Sequence, residues 1–413
     1  MKYATEIIAI FVFLTAGAAQ ADSMRESVLR TRAMETGLVR TEAVLPPISE
    51  PKSNAGRLLF ESTELSLNRQ TSCQTCHLDR FSSADGIPNA IGTGGDGEGI
   101  VRAEGEGDIV PRNTLPLWGR GSIGFDRFFW DGKVDGTIEP VHSQFGDTPP
   151  SNDPLTVAVH LPIVEIREMI SDAREADELR TETVSSAARV FEQIESRVRE
   201  HDGLSTALNA AYEISSSDIS IIHITDAIAQ FVRDRFRLHD TKFHEFVFEQ
   251  IPLEPEELAG GLLFYGKGRC SACHNGPFFS DLEFHAIPFG QAGFGKNGFG
   301  VDYGRYNVTL NAEDIYKFRT PPLFNVTLTA PYSHSGNTYD LADAIRAHTD
   351  PLSVVSLEDL SAVGRVEFYK RLRAWSSDGN FEVALDQAEI DALAAFLGTL
   401  EFEDAEAPIS SPN

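Results

Sequence analysis

Methionine is nearly missing from this chain. There are four in 413 residues, and none follows Met169, so the C-terminal half has no thioether to offer as a metal ligand. Positive charge is also scarce, with 35 Lys+Arg against 62 Asp+Glu and a formal net charge of -27. That balance argues against nucleic acid as a partner, because the phosphate backbone would be repelled, and it disfavours anionic membrane surfaces. No apolar run reaches the roughly 20 residues a membrane-spanning helix needs. The longest, Ile7 to Ala16, lies near the N-terminus. Cysteine is limited to four residues, none of them close behind that run, which excludes a lipoprotein anchor. With 41% hydrophobic and 23% charged residues, disorder along the whole chain is excluded. The length exceeds one small core and predicts two domains or three.

The N-terminus reads as an address. Lys2 precedes the apolar run, and Ala19-Gln20-Ala21 has the small-x-small form of a signal-peptidase site, although Glu6 is atypical there. The expectation is a cleaved signal peptide over 1–21 and a soluble protein exported to the periplasm. Exported cysteines usually pair as disulfides. Here they fall as Cys73-Gln-Thr-Cys76-His77 and Cys270-Ser-Ala-Cys273-His274. C-x-x-C-H is the c-type haem attachment pattern: two thiols add to the vinyl groups, and the adjacent histidine becomes the proximal iron ligand. Zinc and dithiol redox chemistry are the competing readings. Zinc would need its ligands in one place, yet the motifs lie 197 residues apart.

The two motifs have similar settings. Gly56-Arg-Leu-Leu-Phe60 precedes the first and Gly261-Leu-Leu-Phe264 the second, which predicts helical turns packing leucine and phenylalanine against a haem edge. The predicted fold is mainly α, with two cytochrome c-like haem domains and long irregular loops. Its expected parts are an N-terminal extension (22–53), an N-terminal haem domain (54–250), a C-terminal haem domain (251–402) and a flexible tail (403–413). Ile221, Ile224, Ile228, Phe231, Val232 and Phe236 predict one helix from Ser217-Asp218 caps to about Phe248. Further helices are expected near 187–198, 340–348, 356–373 and 386–399. The glycine-rich segments 82–111 and 285–304 read as solvated loops.

In its ordered motifs the chain resembles the bacterial di-haem cytochrome c peroxidase family, which includes the MauG-type enzymes. The motifs are the two C-x-x-C-H sequences, Arg112-Asn-Thr114, Phe129-Trp-Asp-Gly132, Pro162-x5-Glu168-Met169, Phe318-Arg-Thr-Pro321 and Leu328-Thr-Ala-Pro-Tyr-x-His334-x-Gly336. The resemblance implies two covalently bound haems, a peroxidatic one held by Cys73, Cys76 and His77 and an electron-transfer one held by Cys270, Cys273 and His274. It implies that Glu168 is the distal acid and base and that Trp130 lies between the haems. It also places Arg319 near the propionates and an inter-haem calcium ion on Asn113, Thr329 and the carbonyl of Pro331. Fourteen residues after His334, where the peroxidases carry methionine and MauG-type enzymes tyrosine, this chain has His348. We therefore expect bis-histidine ligation by His274 and His348.

Three departures from the family pattern stand out. Residues 134–157 read as an insertion. Ala158 replaces the customary glutamine, with His160 nearby as a candidate substitute. No histidine occurs in 78–111, where many members carry one that blocks the peroxidatic iron. The leading functional expectation is reduction of hydrogen peroxide to water, with electrons from a small cytochrome c or cupredoxin. A homodimer is compatible with the resemblance. The alternatives are a MauG-like enzyme that oxidises residues of a partner protein, and a non-catalytic di-haem electron carrier.

Overall fold

The computed structural model describes residues 22–171, 183–291, 293–358 and 360–402. The expected signal peptide and tail lie outside the described residues. The chain is mainly helical, and its strands form three two-stranded antiparallel ribbons: Arg127–Phe128 with Val134–Asp135, Phe284–His285 with Phe318–Arg319, and Phe294–Gly295 with Gly298–Phe299. No described helix is long and apolar enough to cross a membrane.

Two helix crossings repeat one design. Glu50–Glu61 packs on Ile221–Arg235, and Pro255–Phe264 packs on Gln387–Gly398. At each crossing a glycine lets the backbones touch. A Cβ on Gly56 would lie 1.9 Å from the Ala227 carbonyl oxygen, and one on Gly260 would lie 1.8 Å from that of Ala392. Each glycine stands four residues before a phenylalanine, Phe60 or Phe264, that lines a cavity behind a C-x-x-C-H motif. The internal counterpart of Gly56 is therefore Gly260; Gly261 packs instead against Leu29.

The single helix expected from 217 to 248 is two. Ile221–Arg235 starts at Ser220, in a reciprocal cap with the His223 side chain, and Lys242–Phe248 starts at Thr241, in the same kind of cap with His244. Between them Phe236 leaves the helical path and is buried against Phe60 and Trp118 (ring centroids 6.1 and 5.6 Å). Burying that ring outweighs helix continuity, and periodicity alone does not reveal it. The other expected helices run Val184–Glu200, Leu341–Thr349, Ala362–Ser377 and Gln387–Gly398, and Pro154–Val164 and Asp202–Tyr212 add two more.

The extension is not a free arm. A helix over 22–35 buries Leu29 against Gly261, and Arg30 Nε donates to the Phe246 carbonyl at 2.9 Å. The helix Glu50–Glu61 runs through the expected boundary at 53/54. The far end of the described chain meets the opposite half, where Phe402 packs on Trp118 at 5.0 Å, while Phe324 of its own half lies 5.1 Å from it.

The glycine-rich segments are solvated only in part: most of 94–107 and 293–299 is exposed, but both segments have buried anchors. Residues 91–102 fold around a buried arginine: Arg102 donates to the carbonyls of Ile91, Gly92 and Gly95 at 2.7, 2.5 and 2.9 Å. The same segment carries a short helix, Ile100–Glu104. Within 285–304, Asp302 is fully buried, and the ribbon at 294–299 brings Lys296 to the first cavity. The acids that suggested solvation are partly consumed by internal pairing.

Candidate functional site

Two cavities lie behind the two C-x-x-C-H motifs, and Trp130, Asn113, Thr114 and Leu115 line both. Trp130 is buried, and its Nε1 donates to the Asn113 carbonyl at 2.9 Å. The indole is thus held in the wall between the cavities.

The motifs are built alike. Cys73–Thr75 and Cys270–Ala272 are short 3₁₀ turns, closed by bonds from the His77 and His274 amides to the carbonyls of Cys73 and Cys270 at 3.0 and 2.9 Å. The turn puts two thiols and an imidazole on one cavity. Each imidazole is oriented from behind: Nδ1 of His77 meets the Ser83 carbonyl at 2.8 Å, and Nδ1 of His274 meets that of Phe279 at 2.9 Å. A backbone carbonyl there accepts from Nδ1–H, fixes the tautomer and leaves the unprotonated Nε2, with its lone pair, to bind a metal. Burial pushes both rings down to about 4, so they are neutral, the form that binds iron. Burial also pushes the Cys73 and Cys270 thiols up to about 12.

Glu168 faces the first cavity with Met169 beside it. Its loop is held tightly. Arg167 has φ 76°, its amide donates to the Ile170 carbonyl at 2.6 Å, and its own carbonyl accepts from Thr93 at 3.1 Å. Gly92 is in backbone contact there, since a Cβ on it would come within 1.7 Å of the Arg167 oxygen. Burial, with help from the neighbouring Glu165 charge, pushes the Glu168 carboxyl up to about 7, while Lys133 and Lys296 oppose the shift. Although burial opposes its ionisation, Lys133 (2.8 Å) and Lys296 (3.6 Å) hold Glu165 down to about 2. One carboxylate is thus fixed as an anion while the next titrates near neutrality, a separation that suits acid–base work. Sequence reasoning missed Glu165, Lys133 and Lys296. Lys133 follows Phe129-Trp-Asp-Gly132 and was within reach of a motif reading, but Lys296 is 128 residues from Glu168 and arrives only through the fold.

His160 is not a substitute for the missing glutamine. It is fully buried away from the cavity, bonded to the Thr156 carbonyl at 2.8 Å and packed edge-on between Phe145 and Phe191. The neighbouring segment 78–111 lines the first cavity with Ala90, Val110 and Pro111.

At the second cavity, the Leu341–Thr349 helix presents His348 opposite His274, with ring centroids 6.3 Å apart. Its Nδ1 is held by the Ala344 carbonyl at 2.8 Å, and the part of the ring not covered by protein faces the cavity. Tyr339 stands ahead of this helix and is 61% exposed, pointing away from the site. Arg319 lies on the cavity wall at 1% exposure; its Nε donates to the Phe129 carbonyl at 3.0 Å, and its Nη2 has no hydrogen-bond partner. A buried guanidinium with an orphaned N–H and no facing carboxylate suits an anionic group such as a haem propionate. Arg120, which burial pushes down to about 10, lines the first cavity, with its Nε donating to the Pro116 carbonyl at 2.8 Å. A thiol pair, an oriented imidazole and a buried guanidinium at each cavity together fit a c-type haem in each.

The residues expected to hold calcium are brought together in part. Asn113 Nδ2 donates to the Pro331 carbonyl at 2.7 Å, and an amide flip would place Oδ1 there instead. Thr329 Oγ1 donates to the Val326 carbonyl at 3.2 Å. Below Trp130, sequence reasoning also missed a buried ion cluster: Arg112 bridges Asp131 at 2.6 Å and Asp302 at 2.8 Å.

Comparison with known proteins agrees with this geometry. The family profile described as "Di-haem cytochrome c peroxidase" matches residues 50–250. The chain is 27% identical to the cytochrome c551 peroxidase of Pseudomonas aeruginosa, over 74% of this chain and 73% of that one. It is 25% identical to the methylamine utilization protein MauG of Methylorubrum extorquens, over 81% and 78%. Among solved structures, a MauG-like protein associated with microbial copper homeostasis superposes with a TM-score of 0.64 at 24% identity, covering 90% of this chain and 94% of that one. The di-haem peroxidase BthA of Burkholderia thailandensis gives 0.60 at 18%, covering 91% and 94%. These two likenesses concern the fold.

Proposed function

The chain belongs to the di-haem cytochrome c peroxidase and MauG family, a family of haem oxidoreductases, and from that premise we propose that it reduces hydrogen peroxide to water with electrons from a small cytochrome c or cupredoxin, in the periplasm. The observation that carries this reading is Glu168: a carboxyl pushed up to about 7, facing the same cavity as Cys73, Cys76 and His77.

Two covalently held haems, one on Cys73, Cys76 and His77 and one on Cys270, Cys273 and His274, would supply the redox chemistry that splits the peroxide O–O bond. The chain's own residues do the rest. Glu168 would take a proton from one peroxide oxygen and return it to the other, so that water departs and not hydroxide. Glu165, locked as an anion by Lys133 and Lys296, keeps Glu168 from ionising fully and so able to give the proton back. Arg319 offsets propionate charge, while His274 and His348 would hold the iron of the electron-transfer haem. Trp130 offers an indole bridge between the two sites. Asn113 and Pro331, with Thr329, form the proposed calcium site.

Since 78–111 lines the first cavity without a histidine, the peroxidatic site is open in the oxidised protein. The test is to mix fully oxidised holoprotein with peroxide, and then with reduced cytochrome c. A high-spin ferric signal at rest, a prompt spectral change and multiple turnover are expected. Two low-spin signals and no response would leave only the electron-carrier reading.

A further inference from the structure

Beside the haem cavities, but outside them, three tyrosines lie in ring contact. Tyr316 and Tyr303 have centroids 5.8 Å apart, and Tyr303 and Tyr306 5.9 Å apart. The contact is built into the backbone. The Tyr316 amide donates to the Tyr303 carbonyl at 3.0 Å, and the Arg305 amide to the Lys317 carbonyl at 2.8 Å. Gly304, at φ +60°, allows this approach, because a Cβ on it would meet the Lys317 oxygen at 2.2 Å.

The inner end lies outside both cavities but is a close chain neighbour of residues at each. Tyr316 is 5% exposed and lies two residues before Phe318, which lines the second cavity. Tyr303 directly follows Asp302, which is bonded to Arg112 on the wall of the first cavity. The outer end, Tyr306, is half-buried at the surface.

The inner tyrosine also has what phenol oxidation requires. A phenol that loses an electron becomes a very strong acid and must shed its proton at once. Tyr316 Oη donates at 2.7 Å to Glu367, a buried carboxylate whose other oxygen is held by Lys370 at 2.6 Å. A tyrosine kept only for packing needs no ionised acceptor.

We propose that Tyr316, Tyr303 and Tyr306 form a relay that carries oxidising equivalents one electron at a time from the haem cavities to the protein surface, with Glu367 receiving the phenolic proton of Tyr316. The proposal rests on the peroxidase reading, since hydrogen peroxide is the oxidant. Each phenol oxidised gives one electron and one proton, and two such oxidations supply the two electrons and two protons that turn one peroxide into two waters. The hole on Tyr316 is filled by Tyr303 and then by Tyr306, where a partner's phenolic or indole side chain can refill it.

The test mixes oxidised holoprotein with peroxide and no donor, freezes it, and reads electron paramagnetic resonance; peptide mapping then locates oxidised or cross-linked tyrosine. A tyrosyl radical and modification at Tyr306 are expected. Tyr316→Phe, which keeps the ring, should reduce both at least tenfold while leaving the rate of the haem spectral change with peroxide unaltered, and Glu367→Gln should delay the radical. An undiminished radical and unchanged Tyr306 modification in Tyr316→Phe would overturn the relay. If peroxide elicits no haem change at all, the peroxidase reading is the one that fails. The relay is then judged by flash oxidation of the holoprotein with a ruthenium(III) polypyridyl complex, which should place a Tyr316-dependent radical in the cluster; a radical indifferent to Tyr316→Phe there sinks it equally.

Discussion

Single side chains at the two cavities set chemistry through what surrounds them. Glu168 is neutral below about pH 7 and ionised above it, because burial has raised its carboxyl. The proton-accepting form therefore accumulates as pH rises, so the rate of peroxide reaction should climb through about pH 7 and then level off. Glu168→Gln should keep both haems, flatten that profile and slow the reaction by about 10²–10⁴. Stopped-flow mixing across the pH range checks both, and an unchanged rate removes Glu168 from the mechanism. At the second cavity, His348→Gly should convert one low-spin ferric haem to high spin and raise its potential, since a second imidazole stabilises ferric iron and its loss removes that stabilisation. Survival of the low-spin signal at its original potential would mean that His348 is not the ligand. His348 was legible in the sequence from a register of fourteen residues, and Glu168 from its spacing to Pro162. The groups that tune Glu168 were not: only the fold brings Lys296 to Glu165, and no pattern around residue 296 hints at it.

Among elements, the pairs Glu50–Glu61 with Ile221–Arg235 and Pro255–Phe264 with Gln387–Gly398 carry the cavity-lining Phe60 and Phe264. Each depends on a glycine at the crossing, where a single added methyl would overlap a carbonyl oxygen. Gly56→Ala or Gly260→Ala should therefore cost about 1–3 kcal/mol, as other overpacked sites do. A lowered thermal midpoint with a shifted Soret band of the haem on that side is the expected readout; wild-type stability in Gly260→Ala would show that the helices move apart freely. Helix existence was readable from periodicity, but its interruption at Phe236 was not, since an apolar residue continues the pattern whether or not its ring turns inward. The acidic glycine-rich segment at 82–111 misled in part, for the opposite reason. Its composition is that of a solvated loop, yet Arg102, buried at its centre, satisfies the carbonyls that a loop would otherwise leave to water.

The whole molecule carries a charge of -27. That field favours a basic redox partner and accelerates encounter at low salt, with screening over about 10 Å at 0.1 M. With a basic cytochrome c as donor, kcat/KM for the donor should fall steeply between low and physiological ionic strength, while the peroxide-dependent step stays nearly constant. Steady-state kinetics over a salt series checks this, and a flat donor response would count against electrostatic steering. The ends of the described chain tie the halves together, with the 22–35 helix on Phe246 and Gly261, and Phe402 on Trp118.

The haem-attachment motifs, the small-x-small site near the N-terminus and the lack of any methionine after Met169 were determined by the sequence alone, because each depends on residue identity and not on contacts. Family membership was legible for the same reason, from short motifs kept in order. What the tertiary structure decided are the relations between distant segments: Trp130 and Asn113 in a wall shared by two cavities, His160 packed as a core residue, Arg319 with an orphaned donor, and Tyr303 set against Tyr316. These depend on burial and on contacts across scores of residues. Local patterns do not encode them, since the same side chain is solvated, structural or reactive according to what the fold sets beside it.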